Sequence, residues 1–390
     1  MKPKKVKVFD TTLRDGAQAP GAAINFDDSI KIAELLEEIK VDVIEAGFAA
    51  SSEHDRRVIA EVGRVTTRPI ICSLSRCVAS DIEAVIRSME KFPERSRIHL
   101  FIATSKIHLE KKLGKTFSEV VKIMQKCVRY ASRKFAEVEI TAEDGGRTSN
   151  DNLVAFYNAG IESGAKIINI ADTTGDCLPF EFEEKVLSVY NGCINERGDI
   201  DLSVHCHDDK GCATANTVMG VRSGANQIEC VVNGIGERSG NTSLEESVMA
   251  IRSRKNIGDL SHIDTKKFVA LSRFVERATG FVVPPNKAIV GSNAFSHGAG
   301  IHQDGMFKSR ETYEVFNPEE VGWDHSHFPL TRHSGRHAFK KRVEEVSGKV
   351  FPDAIIEELF ASFKKESSKV KIFGDPELIR LVNGAYSFEA

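Results

Sequence analysis

No stretch of this sequence is long and apolar enough to span a bilayer, and its start, MKPKKVKVFD, runs from a short basic segment straight into a strand pattern. The apolar core of a signal peptide is missing, so the expected location is cytoplasmic. Cysteine pairs are missing as well. The eight cysteines include no CxxC spacing, in a chain too large to need a disulfide frame, and they read as reduced thiols or small core residues. Neither sign of charge is in excess. A net charge of −3 and a pI near 6.5 give no reason to expect nucleic acid or an anionic membrane as the main partner. Solenoid repeats and low-complexity tracts are also lacking, and KKESSKVK near the end is a solvated face or turn.

What is present is an ordinary globular composition, 41% hydrophobic and 28% charged over 390 residues, enough for one large domain and a smaller one. Apolar runs of strand length recur as KVKVFDTT, VDVIEAG, PIICSLS, RIHLFIAT, AEVEITAE, KIINIADTT, DLSVHCHD and QIECVVNG. Helical patterns separate them. After the first run, Asp27 or Asp28 is placed to cap a helix carrying the stripe Ile32, Leu35, Leu36 and Ile39; after the fourth, Phe117, Val120, Val121, Met124 and Val128 repeat the device. Both stripes read as core faces. Eight continuous runs alternating with helices predict an α/β fold, a parallel (β/α)8 TIM barrel. An open doubly wound sheet is the alternative, but FDTTLRDGAQAPG stands after the first strand where that fold would carry GxGxxG.

Past about residue 275 the rhythm breaks. FVVPPNKAIVGSNAFSHGAGIHQDG is rich in Pro, Gly and Asn and reads as an extended crossing segment, followed by helical stretches at about Ser334–Val346 and Pro352–Ser367. The expected division is a barrel over 1–275, a crossing subdomain over 276–328 and a small, mostly helical region over 329–390.

The stretch SVHCHDDKG sets His205 and His207 at i and i+2 of a strand, so both imidazoles leave one face about 7 Å apart along the backbone. That is metal-chelating spacing, although two hydrogen-bonded core histidines would read the same way. The other strand ends add Asp10, Arg14, Asp15, Glu45, His99, Thr104, Glu139, Thr141, Glu143, Asp172, Thr173, Asp208, Asn233, Glu237, Arg238 and Asn241. In a barrel these converge on one mouth. Two neutral imidazoles with a carboxylate and an amide oxygen form a mixed N/O set that suits Mg2+, Mn2+ or Zn2+.

FDTTLRDGAQAPG, the HxH of SVHCHDDKG, NGIGERSGNTSLEE and NAFSHGAGIHQDG, in this order, resemble the DRE-TIM metallolyase superfamily. Within it they resemble the 2-isopropylmalate synthase family and its relatives, homocitrate and citramalate synthase. The resemblance runs from about Phe9 to Val382. It implies a Claisen-type condensation of acetyl-CoA with a 2-oxo acid, with 2-oxoisovalerate favoured by Gln303, and thus an acyltransferase of leucine biosynthesis. It implies a divalent metal on Asp15, His205, His207 and Asn241, Arg14 on the keto oxygen, and Glu143, His302 and Tyr313 for acid/base work. Leu74, His99, Thr141 and Thr173 would surround the 2-oxo acid. A homodimer completed by the neighbouring subunit is implied too, without a leucine-regulatory domain in this chain.

Plainer readings stand beside these. Arg14 could simply pair with Glu45 or Glu143, and Asn241 could cap the helix ahead of SLEE. GIGERSG looks like a phosphate loop, yet it lacks the Lys-Ser/Thr of a P-loop, and its glycines could equally serve tight turns. A second HxH at His325 and His327 lies outside the barrel pattern. The chain departs from the family pattern at Ala17, Asp208, Thr174 and Asp176, which leaves pocket size and the identity of the 2-oxo acid open. Citramalate or homocitrate synthesis, an Fe(II) oxygenase, a retro-Claisen lyase and an inactive metal-binding regulatory barrel are the rivals.

Overall fold

The computed structural model describes residues 4–195, 197–370 and 373–385. Eight parallel strands close into a barrel: β1 (Lys7–Asp10), β2 (Val43–Glu45), β3 (Ile70–Arg76), β4 (Ser96–Ala103), β5 (Glu137–Glu143), β6 (Ile167–Asp172), β7 (Asp201–Cys206) and β8 (Gln227–Cys230). β8 returns to β1 with Val8 opposite Ile228 and Phe9 opposite Glu229. Each of the eight apolar runs becomes one strand, because a strand covered on both faces must be apolar nearly throughout.

Alternation then sorts side chains between barrel interior and helix layer. Along β5, Val138, Ile140 and Ala142 are buried, and Ile140 packs so closely under helix Asn150–Ser163 that a Cβ on Gly160 would sit 2.1 Å from its Cδ1. Glu139, Thr141 and Glu143 take the other face. The floor of the interior is polar. Arg97, 1% exposed, donates to Glu137, Glu139 and Gln227, and Gln227 donates in turn to Glu139 and Ser203.

The helices start where their caps allow. Helix Phe26–Glu38 is capped by Asn25, whose side chain accepts from the Asp28 amide; Asp27 and Asp28 lie in its first turn, where acids favour the helix dipole. The cap expected at Asp27 or Asp28 thus moves upstream, and Ala33 replaces Leu35 on the fully buried face. Helix Phe117–Ala131 opens with a capping box in which Thr116 and Glu119 satisfy each other's backbone amides. No helix among the described residues is long and apolar enough to cross a membrane.

Two compact units divide the chain, Met1–Val283 and Pro284–Ala390. The second builds a core of its own from Leu330, Phe339, Val343, Ile356, Leu359, Phe363 and Phe373, between helices Arg336–Ser347, Asp353–Ser367 and Asp375–Ala385. GIHQDG, expected to be extended, instead begins helix Gly300–Lys308. Only Gln303 and Met306 of that helix are buried, so it has no apolar stripe to announce it, and Gln303 spends its amide protons on the carbonyls of His297 and Pro329.

Candidate metal centre and substrate pocket

At the C-terminal mouth of the barrel, Asp15 from the loop after β1 meets His205 and His207 from the end of β7, with their ligand atoms all within 4.8 Å of one another. His205 Nε2 and His207 Nε2 face each other at 3.2 Å, and Asp15 Oδ2 lies 3.5 and 3.8 Å from them. Burial drives both imidazoles down to about 4, so both are neutral at physiological pH. Asp15 is held below the usual carboxylate range: burial alone would raise it, but the Arg14 guanidinium together with His207, His205 and Asn241 outweighs that. His205 Nδ1 donates to Glu229 Oε2 at 2.9 Å, which fixes the tautomer and leaves Nε2 bare.

The bare Nε2 of His205 thus points at His207 Nε2 and at the Asp15 carboxylate, a convergence of ligand atoms that a cation would satisfy. Buried Asp15 Oδ1, His207 Nδ1 and Asn241 Oδ1 have no hydrogen-bond partner. Asn241 is tied beside His207 by a backbone bridge and donates its amide weakly to the Ile235 carbonyl at 3.4 Å. The four donors therefore fit a divalent cation. Gly236 allows the close approach: a Cβ there would fall 2.1 Å from Asn241 Nδ2. Gly240, at φ +97, packs so that a Cβ would lie 2.0 Å from the Gly234 carbonyl, so these glycines of GIGERSG serve tight turns.

A cavity of about 290 Å3 opens beside this cluster, and its lining includes Leu74, His99, Thr141, Glu143 and Thr173 together with Arg14. Arg14 is pinned by Glu45 at 2.6 Å through Nε and by Asp15 at 2.9 Å through Nη1, so the pairing offered as its plain reading coexists with a place on the pocket wall. Glu45 also accepts from Thr11 and His99. Burial alone would lower His99, but Glu45, with Glu229 and Glu139, raises it to about 9, so its ring is charged. Both ring nitrogens then donate, to Glu45 and to Thr141 Oγ1 at 2.5 Å. Thr141 Oγ1 accepts from Asn169 as well, which leaves the threonine only its proton to offer. Thr173 Oγ1 accepts from the Asp144 amide and likewise keeps its proton. Glu143 takes Lys112 Nζ at 2.5 Å.

Several strand-end residues grouped with the mouth do other work. Asp10 accepts from Thr12, Asp172 from the amides of Asp176 and Cys177, and Asp208 from the Ala213 amide, so each braces a loop or a helix start. Glu139 lies on the polar floor with Arg97. Asn233 bonds Ser272. His302 and Tyr313 belong to the second unit, where their rings stack with centroids 4.2 Å apart. His325 and His327 lie with centroids 4.6 Å apart, and among the described residues no third ligand joins them. The sequence reading missed Glu229, Asn169, Phe48 and Phe101; the signal for Glu229 was an acid inside an otherwise apolar strand.

A family model described as HMGL-like matches residues 5–275, and one described as homocitrate synthase post-HMGL domain-like matches 289–371. A 2-isopropylmalate synthase of Vesicomyosocius okutanii is 45% identical over 97% of this chain and 74% of its own length. The chain belongs to the 2-isopropylmalate synthase family. The Aquifex aeolicus member is also 45% identical, over 97% of this chain and 73% of that one. Among solved structures, the hydroxymethylglutaryl-CoA lyase of Pseudomonas aeruginosa superposes with a TM-score of 0.62 at 19% identity, covering 72% of this chain and 95% of that one, a likeness of fold alone. Family membership and the shared barrel agree with the motifs in FDTTLRDGAQAPG and SVHCHDDKG that first pointed there.

Proposed function

We propose that this chain adds the methyl carbon of acetyl-CoA to the keto carbon of 2-oxoisovalerate and that water then cleaves the resulting thioester, giving 2-isopropylmalate and CoA, the acyltransferase step of leucine biosynthesis. The observation that carries the reading is the buried convergence of Asp15, His205 and His207 beside Arg14 in a cavity sized for a small acid. A divalent cation on Asp15, His205, His207 and Asn241 would supply a Lewis acid for the carbonyl of the 2-oxo acid.

The chain's own residues do the rest. Arg14, kept in place by Glu45 and Asp15, still has N–H donors for the oxygen that becomes an alkoxide. Thr141 and Thr173 offer their hydroxyl protons to the carboxylate end of the substrate. Leu74, Phe48 and Phe101 form the apolar wall for its branched alkyl group. We assign acid/base work on the acetyl methyl group and on the product alkoxide to the set Glu143, His302 and Tyr313, on the family resemblance. The same resemblance supports a homodimer, and the division of the chain at 275/276 and 328/329 is retained as part of this reading.

Free-thiol release from acetyl-CoA, measured with 2-oxoisovalerate, pyruvate, 2-oxobutyrate and 2-oxoglutarate, tests it. Turnover is expected with 2-oxoisovalerate and a divalent cation. His205→Ala is expected to abolish turnover and weaken cation binding; full activity in that variant would refute the ligand set.

A further inference from the structure

A second depression, of about 500 Å3, lies on the barrel and is lined by Ser105, Lys106, Ile107, Glu110, Lys111 and Arg147. Two strand-end segments build it. Ser105 to Lys111 follow β4, and Arg147 follows β5, so the depression sits on the same mouth as the substrate cavity. The two are linked through Lys112, which is next to Lys111 in the chain and donates to Glu143 on the cavity wall. Residues Leu109–Leu113 form a π-helical turn, a wider coil that recurs at functional sites.

Several other cations on the mouth are paired. Lys112 is matched by Glu143, Lys210 by Asp176 and Arg238 by Asp209. Among the described residues, neither Lys106 nor Lys111 has a carboxylate within ion-pair reach, and Glu110 is the one acid in the lining. Arg147 is held at Nε by both oxygens of Asp144, at 2.9 and 3.1 Å, which orients its guanidinium without using its terminal N–H groups. Amid these cations Ile107 is 48% exposed, an apolar surface with no cover. Oriented N–H donors and unpaired ammonium groups around an apolar platform suit phosphate groups attached to a flat base.

We infer that this depression holds the nucleotide end of the acetyl-CoA thioester, with Lys106, Lys111 and Arg147 on its phosphates and Ile107 against its base. The inference rests on the condensation reading above. Its value to catalysis lies in binding energy gained far from the reacting carbon.

The test compares acetyl-CoA with acetylpantetheine, the same thioester without the nucleotide, in the metal-loaded full chain. The Lys106→Ala/Lys111→Ala variant is expected to lose roughly 10- to 100-fold of the kcat/KM advantage of acetyl-CoA over acetylpantetheine, the range for charge-assisted hydrogen bonds. Restoring charge with Lys106→Arg/Lys111→Arg is expected to recover most of it. The advantage should also shrink with added salt in the unaltered chain and much less in the alanine variant. An undiminished advantage in the alanine variant would overturn the inference. If the unaltered chain turns over neither thioester, the condensation reading itself has failed. Calorimetry with adenosine 3′,5′-bisphosphate then decides the site alone: binding that disappears in the alanine variant supports it, whereas binding that persists, or is absent from the unaltered chain, refutes it.

Discussion

At the scale of single residues, the mouth of this barrel works by setting charges apart. Glu45 is held down to about 2: burial would raise it, but Arg14 and His99 overcome that. Glu229, under His205, is instead lifted by burial to about 7. His99 is the residue whose charge leaves a stability signature. Its folded value of about 9 exceeds the ordinary 6.5, so pairing with Glu45 stabilises the fold fully below about pH 6.5, and this is lost as pH rises through about 9. The contribution is about 3 kcal/mol. Thermal melts of the unaltered chain should therefore fall between those values, and His99→Gln should flatten that slope while lowering the neutral melting temperature.

Glu229 supports a second prediction. Glu229→Ala removes the acceptor that fixes the His205 tautomer, and divalent affinity, measured by titration of the metal-free chain, should fall about 10- to 100-fold. Glu229→Gln keeps an acceptor oxygen and should lose less. Equal loss in both would mean that Glu229 acts through its charge and not by orienting the ring.

Elements set where these residues can stand. His205 and His207 share a side because a strand alternates, and β7 delivers both to the mouth. Asn241 depends on the loop folded around Gly236 and Gly240. Gly236→Ala should push Asn241 aside and weaken cation binding while leaving the far-ultraviolet circular dichroism of the barrel intact. The helix layer is more tolerant. Thr116→Ala breaks one capping box and should cost about 1 kcal/mol in denaturant unfolding, with no change in cation affinity.

For the whole molecule, two units with separate cores imply separable stability. Phe363 is fully buried among Phe339, Phe360 and Phe373. Phe363→Ala should cost about 3–5 kcal/mol, seen as lost hydrogen-exchange protection in helices Arg336–Ser347 and Asp353–Ser367. Strands β1 to β8 should retain theirs; equal loss there would show one cooperative unit.

The order and number of strands, their parallel pairing and the HxH spacing were legible from the chain alone, since each depends on local periodicity or on residues two apart. The cap at Asn25 and the helix at Gly300 were not: the first was decided by which side chain reached an amide, the second by a helix with no apolar face. Asp10, Asp172 and Asp208 look like site residues because polarity at a strand end does not say whether an acid faces the cavity or a neighbouring amide. Arg97 and Glu229 went unread because their buried charges are balanced by partners far along the sequence. Only closure of β8 onto β1, which sets the Asp15 loop against the ends of β7 and β8, decides that Asp15 meets two imidazole nitrogens and that Glu229 lies beneath one of the rings. Ligand sets and shifted proton affinities are sums over distance in a poorly screened interior, and those distances do not exist until the barrel is closed.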